Sequence, residues 1–92
     1  QLASSIQVNP NPIYSSNSNS FSLNLNAEEE GTFKIDIYSI EGKKLWENSV
    51  LNTKKSNQFV FQINTDIFNN GLYQIVLQTP SGVVNNPLVI IK

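Results

Sequence analysis

Apolar and polar residues alternate along most of this sequence. A period of two puts successive side chains on opposite faces of an extended chain, which is the pattern of a half-buried β-strand. Residues 44–50 and 83–91 predict two further strands, and a short strand around Ile6–Val8 brings the total to seven. The four clearest apolar rows are Phe21-Leu23-Leu25, Phe33-Ile35-Ile37, Phe59-Phe61-Ile63 and Tyr73-Ile75-Leu77.

Turn-forming residues separate these stretches. Glu41-Gly42 predicts a tight hairpin, because glycine reaches the positive φ that such a turn needs. The other reversals are expected at Asn52–Ser56, Asn69–Gly71 and Pro80–Gly82, and a single helical turn at Asn64–Phe68. Seven short strands with regular turns predict an all-β fold, an immunoglobulin-like antiparallel β-sandwich.

The length of 92 residues corresponds to one domain with one core. Residues 1–20 predict a linker-like N-terminal segment with a possible first strand, because they contain Asn9-Pro10-Asn11-Pro12 and a serine- and asparagine-rich tract. Residues 21–92 are predicted to form the sandwich. Since the sequence begins at Gln1 and contains no methionine, we expect it to be a segment of a longer precursor.

Missing residue types exclude several classes of function. The chain has no cysteine and no histidine, so it cannot form a disulfide, a Ser-His-Asp triad or a cysteine-histidine zinc site. Its six basic residues and its net charge of −1 argue against nucleic-acid binding. The longest apolar run, Leu88–Ile91, is far shorter than the ~20 residues of a membrane span. We therefore predict a non-enzymatic domain without cofactor, metal, nucleic acid or membrane span. We also predict that it is a monomer.

Three charged or polar features have a functional and a structural interpretation. Glu28-Glu29-Glu30 offers oxygen ligands for Ca²⁺, but a solvated loop fits better because no spaced Asp-x-Asp pattern accompanies it. The pairs Lys43-Lys44 and Lys54-Lys55 suit an anionic surface or, more simply, exposed turns and edge protection. Tyr73, which follows Gly71, predicts a tyrosine corner, in which the hydroxyl bonds back to the preceding turn.

Aromatic residues raise an alternative function from another class. Trp46, Tyr38 and Tyr14 would form a platform for stacking on sugar rings if they shared an exposed face. This arrangement would make the chain a carbohydrate-binding or adhesive β-sandwich attached to a surface enzyme. Single aromatic residues more often lie in a core or in cross-strand pairs, and the adjacent Leu45 and Trp46 do not show which of them faces inward.

Four segments together resemble the type A C-terminal sorting domain of the type IX (Por) secretion system. They are the Asn-Pro entry at residues 9–12, an I-Y-x-x-x-G-K hairpin at residues 37–43, an N-G-x-Y-x-I corner at residues 70–75 and a closing apolar strand that ends in Lys92. The resemblance covers about residues 8–92. Ser39 stands where the family often has Asp or Asn.

The resemblance implies a non-catalytic domain that directs a secreted cargo through the outer membrane of Bacteroidetes-type bacteria. Its implied partners are the secretion translocon, a sortase-like peptidase and a covalently preceding cargo, and its implied location is the cell surface or the medium, reached through the periplasm. Removal or processing at the cell surface is also implied. By position in the motifs, the candidates for recognition are Gly42, Lys43, Gly71, Tyr73, Leu88, Val89, Ile90, Ile91 and Lys92.

Overall fold

The computed structural model describes residues 4–9, 13–14 and 19–91, with only the backbone of residues 13–14. Its strands follow the alternating stretches of the sequence, and one single-turn 3-10 helix connects two of them. The elements are β1 (Ser5–Asn9), β2 (Ile13–Tyr14), β3 (Ser20–Ala27), β4 (Gly31–Ser39), β5 (Lys44–Asn52), β6 (Asn57–Asn64), the 3-10 turn (Thr65–Ile67), β7 (Gly71–Thr79) and β8 (Gly82–Ile91).

The strands form two sheets that pack face to face. The small sheet has the order β1-β3-β6, and the large sheet has the order β2-β8-β7-β4-β5. All pairs are antiparallel except β2 and β8, which pair in parallel through Ile13 with Ile90 and Tyr14 with Ile91. The predicted seven-stranded antiparallel sandwich is confirmed, and β2 adds a two-residue strand that is too short for periodicity to reveal.

One core lies between the two sheets, and the predicted apolar rows supply it. Phe21, Leu23 and Leu25 of the small sheet face Phe33, Ile35 and Ile37 of the large one, and all six are almost completely buried. The strand β1 belongs to this core through Ile6 and Val8. The boundary between residues 20 and 21 stays a prediction, although β1 already contributes to the sandwich.

A β-bulge in β5 explains why alternation along the sequence does not show whether Leu45 or Trp46 faces the core. Ile37 pairs with Trp46, while the next residue, Tyr38, pairs with Lys44, so Leu45 is the extra residue on β5. A bulge of this kind breaks the strict alternation of faces. Leu45 and Trp46 therefore both pack against the core, and Trp46 meets Phe61 of the small sheet edge-on, with ring centroids 5.8 Å apart.

The outer face of the large sheet carries a group of charged side chains. The Asp36 carboxylate is buried, with 1% exposure, yet neither oxygen has a hydrogen-bond partner. The ammonium groups of Lys34 and Lys44 lie 4.0 and 3.8 Å from its oxygens. Lys44 also donates a hydrogen bond of 2.7 Å to Glu47, and the Lys34 ammonium lies 4.0 Å from the same carboxylate, so both ammonium groups are shared between Asp36 and Glu47.

The hydrogen bond between Lys44 and Glu47 shifts the pKa values of both groups in opposite directions. It lowers the pKa of Glu47 below the ordinary 4.5 and raises the pKa of Lys44 above the ordinary 10.5. For Glu47, the contribution of the shift to the stability of the fold is present above the ordinary pKa and disappears as the pH falls through the lowered pKa. For Lys44, it is present below the ordinary pKa and disappears as the pH rises through the raised value.

We expect the Lys44→Met variant to return the pKa of Glu47 toward its ordinary value, because the hydrogen bond from Lys44 is the main cause of the shift. A side-chain carboxyl NMR titration measures the midpoint directly. Lys55→Met, in the loop that follows β5, is the control and should leave the midpoint in place. An unchanged midpoint in Lys44→Met would show that the two side chains do not form this bond in solution.

Asn52 and Gly31 make close contacts at the end of the sandwich where β4 begins. Asn52 is buried, and its amide donates to the backbone carbonyls of Glu29 and Lys54, both at 2.7 Å. Gly31 has φ 134° and lies against Pro80, so that a Cβ at Gly31 would come within 2.5 Å of the Pro80 ring. This end therefore depends on a glycine for space as well as for backbone conformation.

Replacement of this glycine should destabilise the domain. We expect Gly31→Ala to lower the free energy of unfolding by about 2 kcal/mol or more, because the added methyl group overlaps Pro80 and the positive φ disfavours an L side chain. Urea denaturation followed by tryptophan fluorescence measures the change. Gly82→Ala is the matched control, since a Cβ at Gly82 meets no atom within 4 Å. Equal stability of the two variants would contradict the contact.

Candidate recognition surface

The predicted hairpin between β4 and β5 is confirmed as a tight turn. The Gly42 amide donates to the Ser39 carbonyl at 3.0 Å, and the Ser39 amide donates to the Lys43 carbonyl at 2.8 Å. Gly42 has φ 92°, which is the left-handed conformation that glycine favours. The Ser39 hydroxyl accepts a bond of 3.2 Å from the Lys43 amide. A short oxygen acceptor at this position thus helps to close the turn, which is a contact that Asp or Asn could also make.

The predicted tyrosine corner between β6 and β7 is also present. The Tyr73 hydroxyl donates to the Asn69 carbonyl at 2.6 Å, four residues upstream. The Tyr73 ring meets Phe68 edge-on at 5.1 Å, and Phe68 in turn lies 5.8 Å from Phe21 of the small sheet. Tyr73 therefore holds the corner by a hydrogen bond at one end and by aromatic packing along its ring.

The single-turn helix before the corner is fixed to the small sheet. The Asn64 side chain caps it by accepting a bond of 2.8 Å from the Asp66 amide. Thr65 is buried, and its amide and hydroxyl both donate to the Asn19 carbonyl at 2.9 and 3.0 Å. These hydrogen bonds fix the position of the segment before the corner relative to the beginning of β3.

Strand register brings the hairpin, the corner and the last strand to the same end of the large sheet. Ser39 at the end of β4 pairs with Tyr73 near the beginning of β7, and Tyr73 pairs with Leu88 near the end of β8. The hairpin and the corner lie more than 25 residues apart in sequence. Antiparallel pairing of β4 with β7 makes them neighbours.

A groove of about 500 Å³ lies where the hairpin meets the corner. Three large apolar side chains on its lining are exposed: Ile40 at 70%, Ile67 at 47% and Leu72 at 47%. Charged side chains of opposite sign, Glu41 and Lys43, also line it. The complete lining is Ser39, Ile40, Glu41, Lys43, Leu45, Ile67, Asn69, Asn70, Gly71, Leu72 and Tyr73.

The sequence-predicted recognition residues divide between this groove and the core. Lys43, Gly71 and Tyr73 line the groove, and Gly42 shapes the turn beside it. In the last strand, Leu88 and Ile90 are completely buried. Val89 is half-buried opposite Leu72, and Ile91 is 37% exposed. Lys92 lies outside the described residues.

The proposed sugar platform is not assembled on one face. Trp46 lies on the inner face of β5 against Phe61. Tyr38 follows the buried Ile37 on β4 and lies on the opposite, outer face, paired with Lys44. Tyr14 is part of β2, and its side chain lies outside the described part of the chain. The structure therefore separates Trp46 from Tyr38.

The acidic cluster acts as a structured loop at the other end of the sandwich. Glu29 accepts a bond of 2.6 Å from the Ser81 hydroxyl, and the Glu28 amide donates to the Ser4 hydroxyl at 2.8 Å. Within residues 4–9, 13–14 and 19–91, no three acidic side chains converge on a position that could hold a metal ion. Nor does this part of the chain include a helix long and apolar enough to cross a membrane.

Sequence reasoning did not identify the exposed apolar side chains of the groove. Ile40 lies inside a tight turn, where no core is within reach, and Leu72 alternates with the buried Tyr73 and so must face outward. Both signals are present in the sequence. They become informative only once the hairpin and the corner are known to be neighbours.

Together, these observations define a β-sandwich domain with an exposed, partly apolar groove at one end and with the acidic cluster and the tyrosine corner in structural contacts. The family model for the secretion system C-terminal sorting domain matches residues 7–92. The chain therefore belongs to this family. No curated protein and no solved structure matches it.

Membership in the family establishes the general role of the chain. It is a C-terminal sorting signal for type IX secretion, in a family of non-catalytic signal domains. This role implies contact with the secretion machinery, a preceding cargo, and export through the periplasm to the cell surface or the medium.

The corner hydrogen bond should contribute measurably to stability. We expect Tyr73→Phe to lower the free energy of unfolding by about 1 to 2 kcal/mol, because the ring keeps its contact with Phe68 while the Asn69 carbonyl loses its donor. Urea denaturation measures the change. Tyr38→Phe on the outer face is the control, and an equal effect of the two substitutions would argue against a special role of the Tyr73 hydroxyl.

Proposed function

We propose that the secretion translocon reads this domain at the groove formed by the hairpin and the corner. The observation that supports the proposal is that the two segments with the family's motif pattern, residues 37–43 and 70–75, meet there in space. Exposed Ile40, Ile67 and Leu72 form the apolar part of the surface.

The composition of the groove suits binding to another protein. Protein interfaces combine a desolvated apolar centre with a polar rim, and apolar side chains that cluster on a surface often mark such sites. Here Glu41 and Lys43 supply charges of both signs near the three apolar side chains. A partner with an apolar projection and a few polar groups around it would fit this arrangement.

The last strand contributes in two different ways. Leu88 and Ile90 support the fold from within the core, while Val89 and Ile91 present side chains on the other face of β8. Val89 lies opposite Leu72 and extends the apolar surface from the groove onto the last strand. Deletion of residues 88–92 would therefore remove core side chains as well as surface, so that lost secretion would not distinguish misfolding from lost recognition.

Substitutions at exposed positions separate these effects. We expect Ile40→Ser and Leu72→Ser, in the chain fused to a reporter, each to reduce secretion about tenfold, because truncation of a central interface residue commonly costs this much affinity or more. Reporter in the medium and in the periplasm is measured by immunoblot. Leu51→Ser is the matched control, because Leu51 is 67% exposed and Ile40 is 70% exposed. Leu51 lies at the end of β5 that is far from the groove.

The expected pattern is periplasmic accumulation of the two groove variants and normal export of the control. Circular dichroism and thermal unfolding of the isolated 92-residue chain show whether each variant remains folded. Normal export of folded Ile40→Ser and Leu72→Ser would contradict recognition at the groove and would leave the family's sorting role intact.

We also propose that a sortase-like peptidase removes the domain at the cell surface. The sorting role supports this proposal, since a sorting signal is no longer needed after export. The measurement is mass-spectrometric peptide mapping of the exported cargo, which should be smaller than the periplasmic form because it lacks residues 21–92. Exported cargo that retains the full mass would contradict removal.

A further inference from the structure

The strand β6 forms an edge of the small sheet that lacks the usual protection against strand pairing. It pairs with β3 on one side, and no strand among the described residues pairs with its other side. Natural proteins protect such edges with charged residues, prolines, bulges or short strands. The eight residues of β6, Asn57–Asn64, contain neither a charge nor a proline, and their pairing with β3 is regular throughout.

The other strand edges carry such protection. The edge strand β5 contains Lys44 and Glu47 and the bulge at Leu45. The edge strands β1 and β2 have only five and two residues. The long, regular and uncharged edge of β6 is therefore distinctive within the described part of the fold.

The sequence of this edge is a palindrome, Gln58-Phe59-Val60-Phe61-Gln62. When two antiparallel copies of a strand pair around a central residue, positions at equal distances before and after the centre lie opposite each other. Pairing around Val60 would place Phe59 opposite Phe61 of the second copy and Gln58 opposite Gln62. Each side chain would then lie opposite a residue of the same type, on the same face of the joined sheet.

Exposure along β6 fits this pairing. Val60 is 62% exposed, although its neighbours on the outer face of the small sheet are polar. Phe59 and Phe61 face the core but remain only partly buried at the edge, where Trp46 covers one side of Phe61. A second copy would cover the two phenylalanine rings and bring the two Val60 side chains together.

We propose that the domain forms a symmetric dimer through antiparallel pairing of two β6 strands around Val60. The two small sheets become one continuous sheet of six strands, with the order β1-β3-β6-β6-β3-β1. A two-fold axis through the Val60 pair makes the interface self-complementary and closed, so it ends at two copies. This association differs from the monomer predicted from sequence and is independent of recognition at the groove.

The first test is the association of the 92-residue chain in solution. Sedimentation equilibrium should show a reversible species of twice the 10.3 kDa chain mass. Val60→Lys should raise the dimer dissociation constant about tenfold or more, because it places like charges directly opposite each other at the two-fold axis. Val83→Lys is the matched control, since Val83 is 63% exposed on β8, and it should leave the constant unchanged.

The second test reports the register of the two strands. The chain contains no cysteine, so Val60→Cys introduces a single thiol on each copy. Directly opposite residues of an antiparallel pair lie about 4.5 to 5.5 Å apart at Cα, a distance that a disulfide can span. Mild oxidation should therefore crosslink Val60→Cys into a dimer much faster than Val83→Cys.

Three outcomes would overturn the proposal. One is a chain that stays monomeric up to about 1 mM, the range of very weak association. Another is equal association of the Val60→Lys and Val83→Lys variants, or equal crosslinking of the two cysteine variants. The third is growth into larger assemblies, because a symmetric β6 pair leaves no second copy of this edge for further addition.

Discussion

Neither sheet of this domain can bury its apolar face without the other. Sixteen apolar residues are buried in the part of the chain that the structure describes, and seven of these come from the small sheet, eight from the large sheet and one, Phe68, from the segment between β6 and β7. No disulfide adds to this packing, because the chain has no cysteine. The strand pairing that forms the groove therefore depends for its stability on the contact between the two sheets.

Much of this fold could be predicted because one physical rule operates along the whole chain. Period-two burial placed Phe33, Ile35 and Ile37 on the inner face of β4, and the structure has them there. Turn chemistry identified the hairpin at Gly42, where a positive φ is required. Tyr73 was predicted to hold a corner, because a tyrosine just after a turn can reach the backbone of that turn. These features depend on residues close together in sequence.

The rest depends on contacts between distant residues, which a single sequence does not reveal. The bulge at Leu45 requires knowledge of the pairing with Ile37, and the burial of Asp36 requires the two lysines and the neighbouring strands that cover it. The groove was likewise invisible, because Ile40 and Leu72 become neighbours only through the β4–β7 register. The candidate residues of the last strand were predicted as one group, yet the pleat of the strand divides them between core and surface.

The way the groove is assembled has a consequence for quality control. Its two halves are distant in sequence and meet only when β4 and β7 are paired, so an unfolded or partly folded chain has no such surface. A receptor that binds this surface would distinguish folded from unfolded chains by the binding itself, and no additional factor would be needed to recognise unfolded chains. The export machinery would then bind only domains that have completed folding. A chain with unpaired strands would not be bound.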